Sequence, residues 1–353
     1  MNETQEAERA VPELLIGCSG RGVRASSPSA PVTMDEHPID TQFAMVKESG
    51  VFDYLARLPS RANLDPYLAA MRKHDLRIEQ PTWYYLLGRD EALLRDNLLI
   101  CSEVGVRHHN IMTFTHHADG HALSNPEVVD HYLDTYDFGM ARGVEPSFEV
   151  HVNMWTEQFK RVAEVANAVQ ARGIPFNFTM DYSHATFKIG NPAELEISGV
   201  REEVEDGRIV LDPFEKGSLC AQWLAQGIVR LVQFRPAGPS QPPNVWARNE
   251  DGSATRGIQY PMTRPARGEW HSPWHAYLLE PSKEALRKVL AHHIIEPTSR
   301  LRCVTTELID MPDYGMGAKY DLFEQNVEAA KFVRKAWQRT QALHAVGLLE
   351  KVE

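Results

Sequence analysis

Long apolar runs are absent from this sequence. No window of its 353 residues approaches the roughly 18 consecutive apolar residues that a membrane-spanning helix requires. The first ten residues, Met1–Ala10, are polar and acidic, so they lack the basic start and apolar core of a secretory signal. These absences predict a cytoplasmic protein with no membrane partner.

Cysteine is also scarce. Four cysteines lie far apart and none forms a CxxC pair: Cys18, Cys101, Cys220 and Cys303. Disulfide frameworks and cysteine-based zinc sites need closer, patterned spacing. Because each cysteine has apolar neighbours on a predicted core element, we expect four reduced, buried thiols.

Positive charge is the minority, with 37 Lys and Arg against 48 Asp and Glu and a net charge of −11. An acidic surface repels phosphate backbones, so nucleic acid is not expected as a partner.

No GxGxxG follows the first apolar segment, which disfavours a dinucleotide-binding open sheet. Hydrophobic residues make up 43% of the chain, which is enough for a packed core.

Strand-like and helix-like segments alternate along the whole chain. The predicted strands cover 14–18, 54–58, 77–86, 108–114, 147–152, 175–180, 228–234 and 302–309. The predicted helices cover 41–49, 65–73, 90–104, 126–142, 156–171, 218–225, 283–293 and 322–345. About eight such pairs in about 350 residues is the count of a (β/α)₈ TIM barrel, with a doubly wound α/β sheet as the alternative.

We therefore predict a single TIM-barrel domain over residues 1–353, with residues 1–12 as a flexible tail. Two connections are unusually long, 188–216 after the sixth strand and 236–281 after the seventh. In a barrel both lie on the catalytic face, where they either cover a site or make subunit contacts.

Polar residues stand where four of the predicted strands end. These are Glu149, Asp181, Gln233 and Glu307 on strands five to eight. Side chains alternate along a strand, so His151 and Asn153 share the inward face of Glu149, and Arg235 shares that of Gln233. The carboxyl ends of all barrel strands meet at one mouth, so we expect these groups to converge.

Three carboxylates in a dry barrel mouth would repel one another, and a divalent ion removes that repulsion. The pattern therefore predicts a metal site formed by Glu149, Asp181, Gln233 and Glu307. The alternative is that Glu149 and Glu307 form ordinary ion pairs with Arg235 or Lys188.

These residues resemble the sugar isomerase and epimerase branch of the xylose-isomerase-like barrels. That family has a Glu ending strand five, Asp-x-x-His at strand six, a His at strand seven and a Glu at strand eight. Glu149, the Asp181-Tyr-Ser-His184 motif and Glu307 match this order. The resemblance implies that His184 contacts the substrate or a metal-ligating side chain rather than the metal; the alternative is that His184 moves inward because Gln233 is a weak ligand.

Strand seven departs from the family, because Gln233 stands where the family has His. An amide oxygen in place of imidazole nitrogen favours harder ions, so we expect one Mn²⁺, with Mg²⁺ or Co²⁺ as alternatives. The same change argues against the endonuclease branch of the superfamily, which needs several histidines for a zinc cluster.

The segment Phe148-Glu-Val-His-Val-Asn-Met-Trp155 further resembles the large subunit of bacterial C-glycoside deglycosidases. This resemblance implies cleavage of the carbon–carbon glycosidic bond of 3-oxo C-glycosides such as aryl C-glucosides. The C2 proton is removed, a metal-stabilised enolate forms and the aglycone is eliminated. It also implies a small, β-rich second subunit.

Three functions therefore remain open. The first is this carbon–carbon lyase, and the second is a metal-dependent ketose isomerase or epimerase. The third is a non-catalytic or regulatory barrel that has lost the histidine ligand of strand seven. In the isomerase or epimerase, Glu149 and Glu307 exchange protons through an enediolate. In the lyase, His151 is the candidate base, since its ordinary pKa near ~6.5 suits proton transfer. Alternatively, His151 orients Glu149.

Four further residues are predicted to bind the substrate, a sugar or C-glycoside. Arg235 and Asn153 offer polar contacts, as does His184, and the ring of Trp83 at the end of the third strand is placed to stack on a sugar or an aglycone. The alternatives are that Arg235 is a structural partner of Asp181 or Glu307 and that Trp83 is a core residue.

Overall fold

A computed structural model describes residues 12–352. Within that range the strands are β1 (Leu15–Ser19), β2 (Tyr54–Ala56), β3 (Arg77–Ile78), β4 (Thr82–Tyr85), β5 (His108–Thr113), β6 (Glu145–Glu149), β7 (Phe178–Asp181), β8 (Val229–Phe234), β9 (Asn244–Arg248), β10 (Ala254–Thr255) and β11 (Cys303–Thr306). Nine of them form a parallel sheet in the order β3-β2-β1-β11-β8-β7-β6-β5-β4.

The two outer strands of this order, β3 and β4, are neighbours in the chain and are separated only by residues 79–81. They are two halves of one barrel strand, so the sheet returns to the strand from which it starts. The predicted TIM barrel is confirmed, but the prediction of one unbroken third strand over 77–86 is wrong. Gln80 interrupts it with a left-handed backbone (φ 50°).

The helices are α1 (Ile39–Glu48), α2 (Leu64–His74), α3 (Glu91–Glu103), α4 (Asn125–Met140), α5 (Phe159–Gln170), α6 (Ser183–Thr186), α7 (Pro192–Ile197), α8 (Arg201–Glu205), α9 (Leu219–Ala225), α10 (Glu280–Ile295) and α11 (Leu322–Ala345). Local sequence explains their bounds. Ser124 caps α4 by accepting from the Glu127 amide, and α5 buries Phe159, Val162 and Val169 on one face.

The two long connections contain secondary structure of their own. Residues 188–216 include α7 and α8, and residues 236–281 include the antiparallel pair β9–β10 and a 3₁₀ turn, Ala276–Leu279. The sixth barrel strand begins at Phe178 rather than at residue 175.

Part of the barrel interior is apolar. Leu15, Tyr54, Leu231 and Cys303 form a separate buried cluster inside the sheet. A side chain at Gly17 would meet this cluster, because a Cβ there would lie 2.0 Å from the Tyr54 ring. The Tyr54 hydroxyl lies 2.7 Å from Thr305 Oγ1 and 3.2 Å from Gln80 Oε1. The space that Gly17 leaves is therefore filled by the phenol ring.

Several expectations about the whole chain can be compared with the structure. All four cysteines are buried and unpaired, as predicted. None of the helices within residues 12–352 has both the length and the apolarity to span a bilayer. Residues 1–11 of the predicted tail lie outside the described residues, and the single-domain assignment stays a prediction.

A cluster of ion pairs lies at the amino-terminal end of the strands, opposite the predicted site. Glu145 opens β6 and pairs with Arg230 of β8 at 2.8 Å and with Arg300. Burial raises the pKa of the Glu145 carboxyl, but Arg230, Arg300 and His108 outweigh burial and hold this pKa below its ordinary value of 4.5. The ionised carboxylate thus stabilises the folded chain.

We predict that Glu145→Gln lowers the free energy of unfolding at pH 7 by roughly 1–3 kcal/mol, less than for a fully buried pair because solvent screens the arginines. The folded pKa is below 4.5, so the contribution is complete above that pH and fades as pH falls through the folded pKa. Denaturant unfolding at pH 7 and pH 4 measures both effects.

The matched control is Glu13→Gln, which removes a surface carboxylate paired with Arg302 at 2.8 Å. We expect this control to change the free energy of unfolding by under about 0.5 kcal/mol. An equal loss in both variants, or a loss at Glu145 that does not shrink in acid, contradicts the role assigned to this cluster.

Candidate active site and metal centre

Three carboxylates meet at the carboxyl ends of the barrel strands. Glu149 ends β6, Asp181 ends β7 and Glu307 directly follows β11. All three are buried, and one carboxylate oxygen of each lies within 4.8 Å of the other two. Gln233 lies beside them because β8 pairs it in register with Asp181 and Thr305. The structure thus brings together the four residues predicted as metal ligands.

Arg235 is inserted between two of these carboxylates. Its Nη1 lies 2.8 Å from Asp181 Oδ2, and its Nη2 lies 2.5 Å from Glu307 Oε2. The guanidinium also covers the ring of Tyr314 at 4.2 Å from the ring centre. The ion pair considered from sequence therefore exists for Glu307. Lys188 instead pairs with Glu157 at 2.9 Å.

Glu149 has a different partner. Its Oε2 accepts a hydrogen bond from the side-chain amide of Asn110 on β5. Burial, together with the nearby charges of Glu307 and Asp181, raises the pKa of Glu149 well above its ordinary value. Burial also raises the pKa of Glu307 to about 8, even though Arg235 opposes this.

Asp181 behaves oppositely. Burial alone would raise its pKa, but Arg235 and His184 outweigh burial and lower it. Its Oδ1 also accepts from the Ser183 amide at 3.1 Å and hydroxyl at 2.6 Å. Asp181 and Arg235 thus form a balanced pair, whereas protons on the two glutamic acids avoid further buried negative charge.

The donor set fits a divalent cation. Gln233 donates to Glu307 Oε1 at 2.9 Å, while its own buried Oε1 has no hydrogen-bond partner. The two ends of a side-chain amide are assigned from their partners. Turning the Gln233 amide over would direct its oxygen toward Glu307, where it could share a cation with the Glu307 carboxylate or accept a hydrogen bond from a protonated Glu307 carboxyl. Four oxygen donors suit Mn²⁺ or Mg²⁺.

His151 follows β6 and lies beside the carboxylates. Its Nδ1–H donates to the Val152 carbonyl at 2.6 Å, and its Nε2 accepts from the Tyr314 hydroxyl at 2.9 Å. Burial, followed by the neighbouring His184 and Arg235, lowers the pKa of His151 well below 6.5. The lowered pKa favours the neutral imidazole, and its basic Nε2 already accepts a hydrogen bond. The prediction of His151 as a base rested on the ordinary pKa and did not include this environment.

His184 lies behind the carboxylates rather than at the open cavity. Its Nε2 is 3.2 Å from Arg235 Nη1 and 3.4 Å from Asp181 Oδ2, and its side chain is buried. Burial lowers its pKa to about 4. It does not line the cavity described below, so the structure favours a contact with Asp181 over one with the substrate.

A cavity of about 520 Å³ opens above the carboxylates. Its polar floor contains Glu149, His151, Gln233, Arg235 and Glu307. Its volume lies within the roughly 300–1,000 Å³ typical of pockets for drug-sized ligands. The four residues Trp83, Asn153, Arg235 and His184 were predicted to bind substrate, and the first three line this cavity.

Trp83 and Tyr84 form one wall of the cavity. Their rings stack 5.3 Å apart at 7° and are 37% and 45% exposed, so they are not core residues. Asn153 also lines the cavity and is exposed; it has a left-handed backbone (φ 64°) and its Oδ1 lies 3.4 Å from Arg256 Nη1.

Two residues of the site were not identified from the sequence. Asn110 has inward parity on β5, two residues after His108, so the alternation of that strand could have indicated it. Tyr314 lies in an irregular segment after β11, and no periodic pattern marks it. It nevertheless binds His151 and underlies Arg235.

Comparisons of sequence alone are uninformative for this chain. No family model matches it, and no curated protein matches it. The fold is instead found among solved structures.

L-ribulose 3-epimerase has a TM-score of 0.53 at 10% identity, over 95% of this chain and 98% of that one. D-allulose 3-epimerase from Methylomonas sp. has a TM-score of 0.52 at 14% identity, over 93% of this chain and 100% of that one. A xylose isomerase-like TIM-barrel protein from Mycobacterium smegmatis, in complex with magnesium, has a TM-score of 0.50 at 11% identity, over 92% and 97%. This chain therefore has the TIM-barrel fold of xylose isomerase-like proteins and sugar epimerases.

Proposed function

We propose that this protein is a metal-dependent enzyme that removes a proton from the carbon beside a sugar carbonyl, and that it is a ketose isomerase or epimerase. The observation that carries the proposal is the meeting of Glu149 and Glu307 at the floor of one cavity, with Asp181 and Gln233 beside them. The epimerases that share this fold support the same chemistry, which we extend to this chain by analogy.

Glu149, Asp181, Gln233 and Glu307 would hold the divalent ion. When bound, such an ion supplies a Lewis acid that polarises a carbonyl oxygen. One glutamate takes the proton from the substrate carbon, and the other returns a proton on the opposite face or to the neighbouring carbon. Return to the same carbon gives an epimer, and return to the neighbouring carbon gives an isomer. The proton count is unchanged in both cases.

The side chains around the glutamates have separate tasks in this proposal. Arg235 lines the cavity, and its guanidinium lies between Asp181 and Glu307. It would hold a sugar oxygen while it stays paired with these two carboxylates. Asn110 holds Glu149 by its Oε2 and thereby fixes the direction of the other oxygen.

One observation favours a second function, the cleavage of 3-oxo C-glycosides. One wall of the cavity carries the exposed, stacked Trp83 and Tyr84, and the apolar residues Met34, Leu58 and Met112 also line the cavity. A simple ketose has no aryl group to cover such a wall, whereas the aglycone of an aryl C-glucoside does. The first step is the same, but the electron pair then forms a C1–C2 double bond as the C1–aglycone bond breaks, and the leaving aglycone carbon takes up a proton. The small, β-rich second subunit stays a prediction of this alternative.

The proposal predicts hydrogen exchange at carbon. We expect the Mn²⁺-loaded protein to incorporate deuterium from D₂O beside the carbonyl of at least one ketohexose and to form its epimer or isomer, as followed by NMR. Glu307→Gln should reduce this rate at least about 10³-fold, since it removes a proton carrier. The surface variant Glu164→Gln should retain the full rate.

A parallel incubation with a 3-oxo aryl C-glucoside distinguishes the two functions. Free aglycone without ketohexose exchange would replace the isomerase or epimerase by the lyase. If the folded, metal-loaded protein gave neither product, both proposals would fail.

His151 allows a second test. We expect His151→Ala to lower turnover about 10²-fold while the bound metal stays near one equivalent, because His151 contacts the carboxylate floor without being one of the four oxygen donors. Turnover and elemental analysis measure the two effects on the same sample. His116→Ala, on an exposed loop, is the matched histidine control. Loss of the metal from His151→Ala would make His151 a ligand.

Arg235 allows a test that does not depend on turnover. Arg235→Met removes the guanidinium that pairs with Asp181 and Glu307 and leaves only His184 beside Asp181, so we expect a loss of about 3–5 kcal/mol in EDTA. Mn²⁺ should then restore more stability to this variant than it adds to the wild-type protein, because the ion supplies the missing positive charge.

The control for this experiment is Arg256→Met. Arg256 also pairs with two carboxylates, Glu157 at 3.0 Å and Glu194 at 2.5 Å, but lies outside the cavity. We expect it to lose stability without any extra gain from Mn²⁺ in thermal melts. Equal gains in the two arginine variants would be evidence against a cation at the carboxylate floor.

A further inference from the structure

A second group of side chains that could hold a metal ion lies outside the carboxylate floor, in the connection between β5 and α4. His117 and His121 face each other across a tight hairpin, in which the His117 amide donates to the His121 carbonyl at 2.9 Å. The flanking residues His116 and Ala122 form an antiparallel bridge. Facing positions of a hairpin present their side chains on one side, so both imidazoles project from the same face.

Asp119, at the tip of the hairpin, points between the two rings. Its Oδ1 lies 3.1 Å from Nδ1 of His117 and 2.6 Å from Nδ1 of His121. The two rings are 4.9 Å apart and nearly parallel, at 22°. Ligands bound at about 2.0–2.1 Å in a tetrahedral zinc site are roughly 3.3 Å apart. The two distances to Asp119 Oδ1 are slightly shorter than this, and one ligand atom of each of the three residues lies within 4.8 Å of the other two.

The far side of the His121 ring is held by a further carboxylate. Nε2 of His121 lies 2.8 Å from Glu127 Oε1. Glu127 is itself fixed, because its Oε2 accepts from the Ser124 amide at 2.9 Å and from the Ser124 hydroxyl at 2.6 Å in the capping box of α4. A histidine that binds a metal through one nitrogen commonly donates from the other to a carboxylate, which orients its ring.

The far side of the His117 ring rests on Gly88. A Cβ at this glycine would lie 2.3 Å from both Cε1 and Nε2 of His117, and its backbone has a φ of +84°. The absence of a side chain therefore leaves the space that the imidazole occupies. Both rings are thus held from outside with their Nδ1 atoms turned toward Asp119.

We propose that His117, Asp119 and His121 form a second metal site that binds Zn²⁺ or a similar borderline ion. Two imidazole nitrogens and one carboxylate oxygen are a typical ligand set for such ions, and differ from the all-oxygen set of the barrel floor. The side chains are 31%, 63% and 45% exposed, so the fourth ligand is water or a group on a bound molecule.

The position of this site connects it to the cavity wall. The Ala118 amide donates to the Leu87 carbonyl at 2.8 Å. Phe114, at the start of the same connection, packs edge-on against Tyr84 at 5.8 Å. An ion bound to this hairpin would hold the segment beside the stacked aromatic wall in place.

Zinc binding by the full-length protein tests the proposal. Equilibrium dialysis against Zn²⁺, with elemental analysis, should find one more equivalent in the wild-type protein than in His121→Gln or Asp119→Asn. Co²⁺ in place of Zn²⁺ should give a visible absorption band that both variants lose. Glu127→Gln, which keeps a side chain able to cap α4, should weaken Zn²⁺ binding about 10–100-fold.

His116→Gln is the matched control, because His116 is exposed on the same hairpin and lies outside the three-residue group. It should bind as much Zn²⁺ as the wild-type protein. The measurement is a difference between variants, so ions bound at the barrel floor cancel. Equal stoichiometry and affinity in the wild type, His121→Gln and Asp119→Asn would overturn the proposal and leave the group as ordinary ion pairs.

Discussion

The arrangement of the barrel mouth depends on how the charge of three buried carboxylates is balanced. Water cannot screen groups that are this deeply buried, so each negative charge needs a proton, a basic side chain or a metal ion. Arg235 balances Asp181 and contacts Glu307, while the raised pKa values of both glutamic acids favour their protonated forms. One divalent ion could take over the role of these protons.

This balance explains why the groups come from different strands. Each barrel strand contributes one or two inward side chains near its carboxyl end, and the register between neighbours sets them at the same height. The helices around the sheet bury the alternate residues, such as Phe148, Met180 and Phe234. A rigid support of this kind can hold groups that repel one another, since separating them would disrupt the packing of the whole barrel.

Alternation and strand order were sufficient to predict the fold and the four polar strand ends. These features follow from local sequence, because apolar runs mark the strands and polar residues mark where they stop. The interruption of the third strand could not be predicted this way, since Gln80 adopts its left-handed backbone while its side chain bonds within the barrel. Tyr314 is similar, because its position depends on how a connection folds over Arg235.

The hydrogen bonds of His151 were also beyond the sequence. Its place two residues after Glu149 correctly predicted that His151 lies beside the carboxylates. The hydrogen bond at its basic nitrogen, however, comes from Tyr314, some 160 residues later in the chain. Prediction from sequence therefore succeeded where one strand determines the position of a side chain. It failed where the environment of that side chain is assembled from distant segments.

The pairing of Gly17 with the Tyr54 ring has a consequence for how this barrel could diverge. The ring lies directly below the cavity, joined by its hydroxyl to Thr305, which lines the cavity. The depth available to a ligand is thus limited by a residue on the second strand and by the space left on the first. Exchanges at these two positions would lengthen or shorten the chamber while leaving every acidic group where it is, so ligand size and proton chemistry can evolve independently.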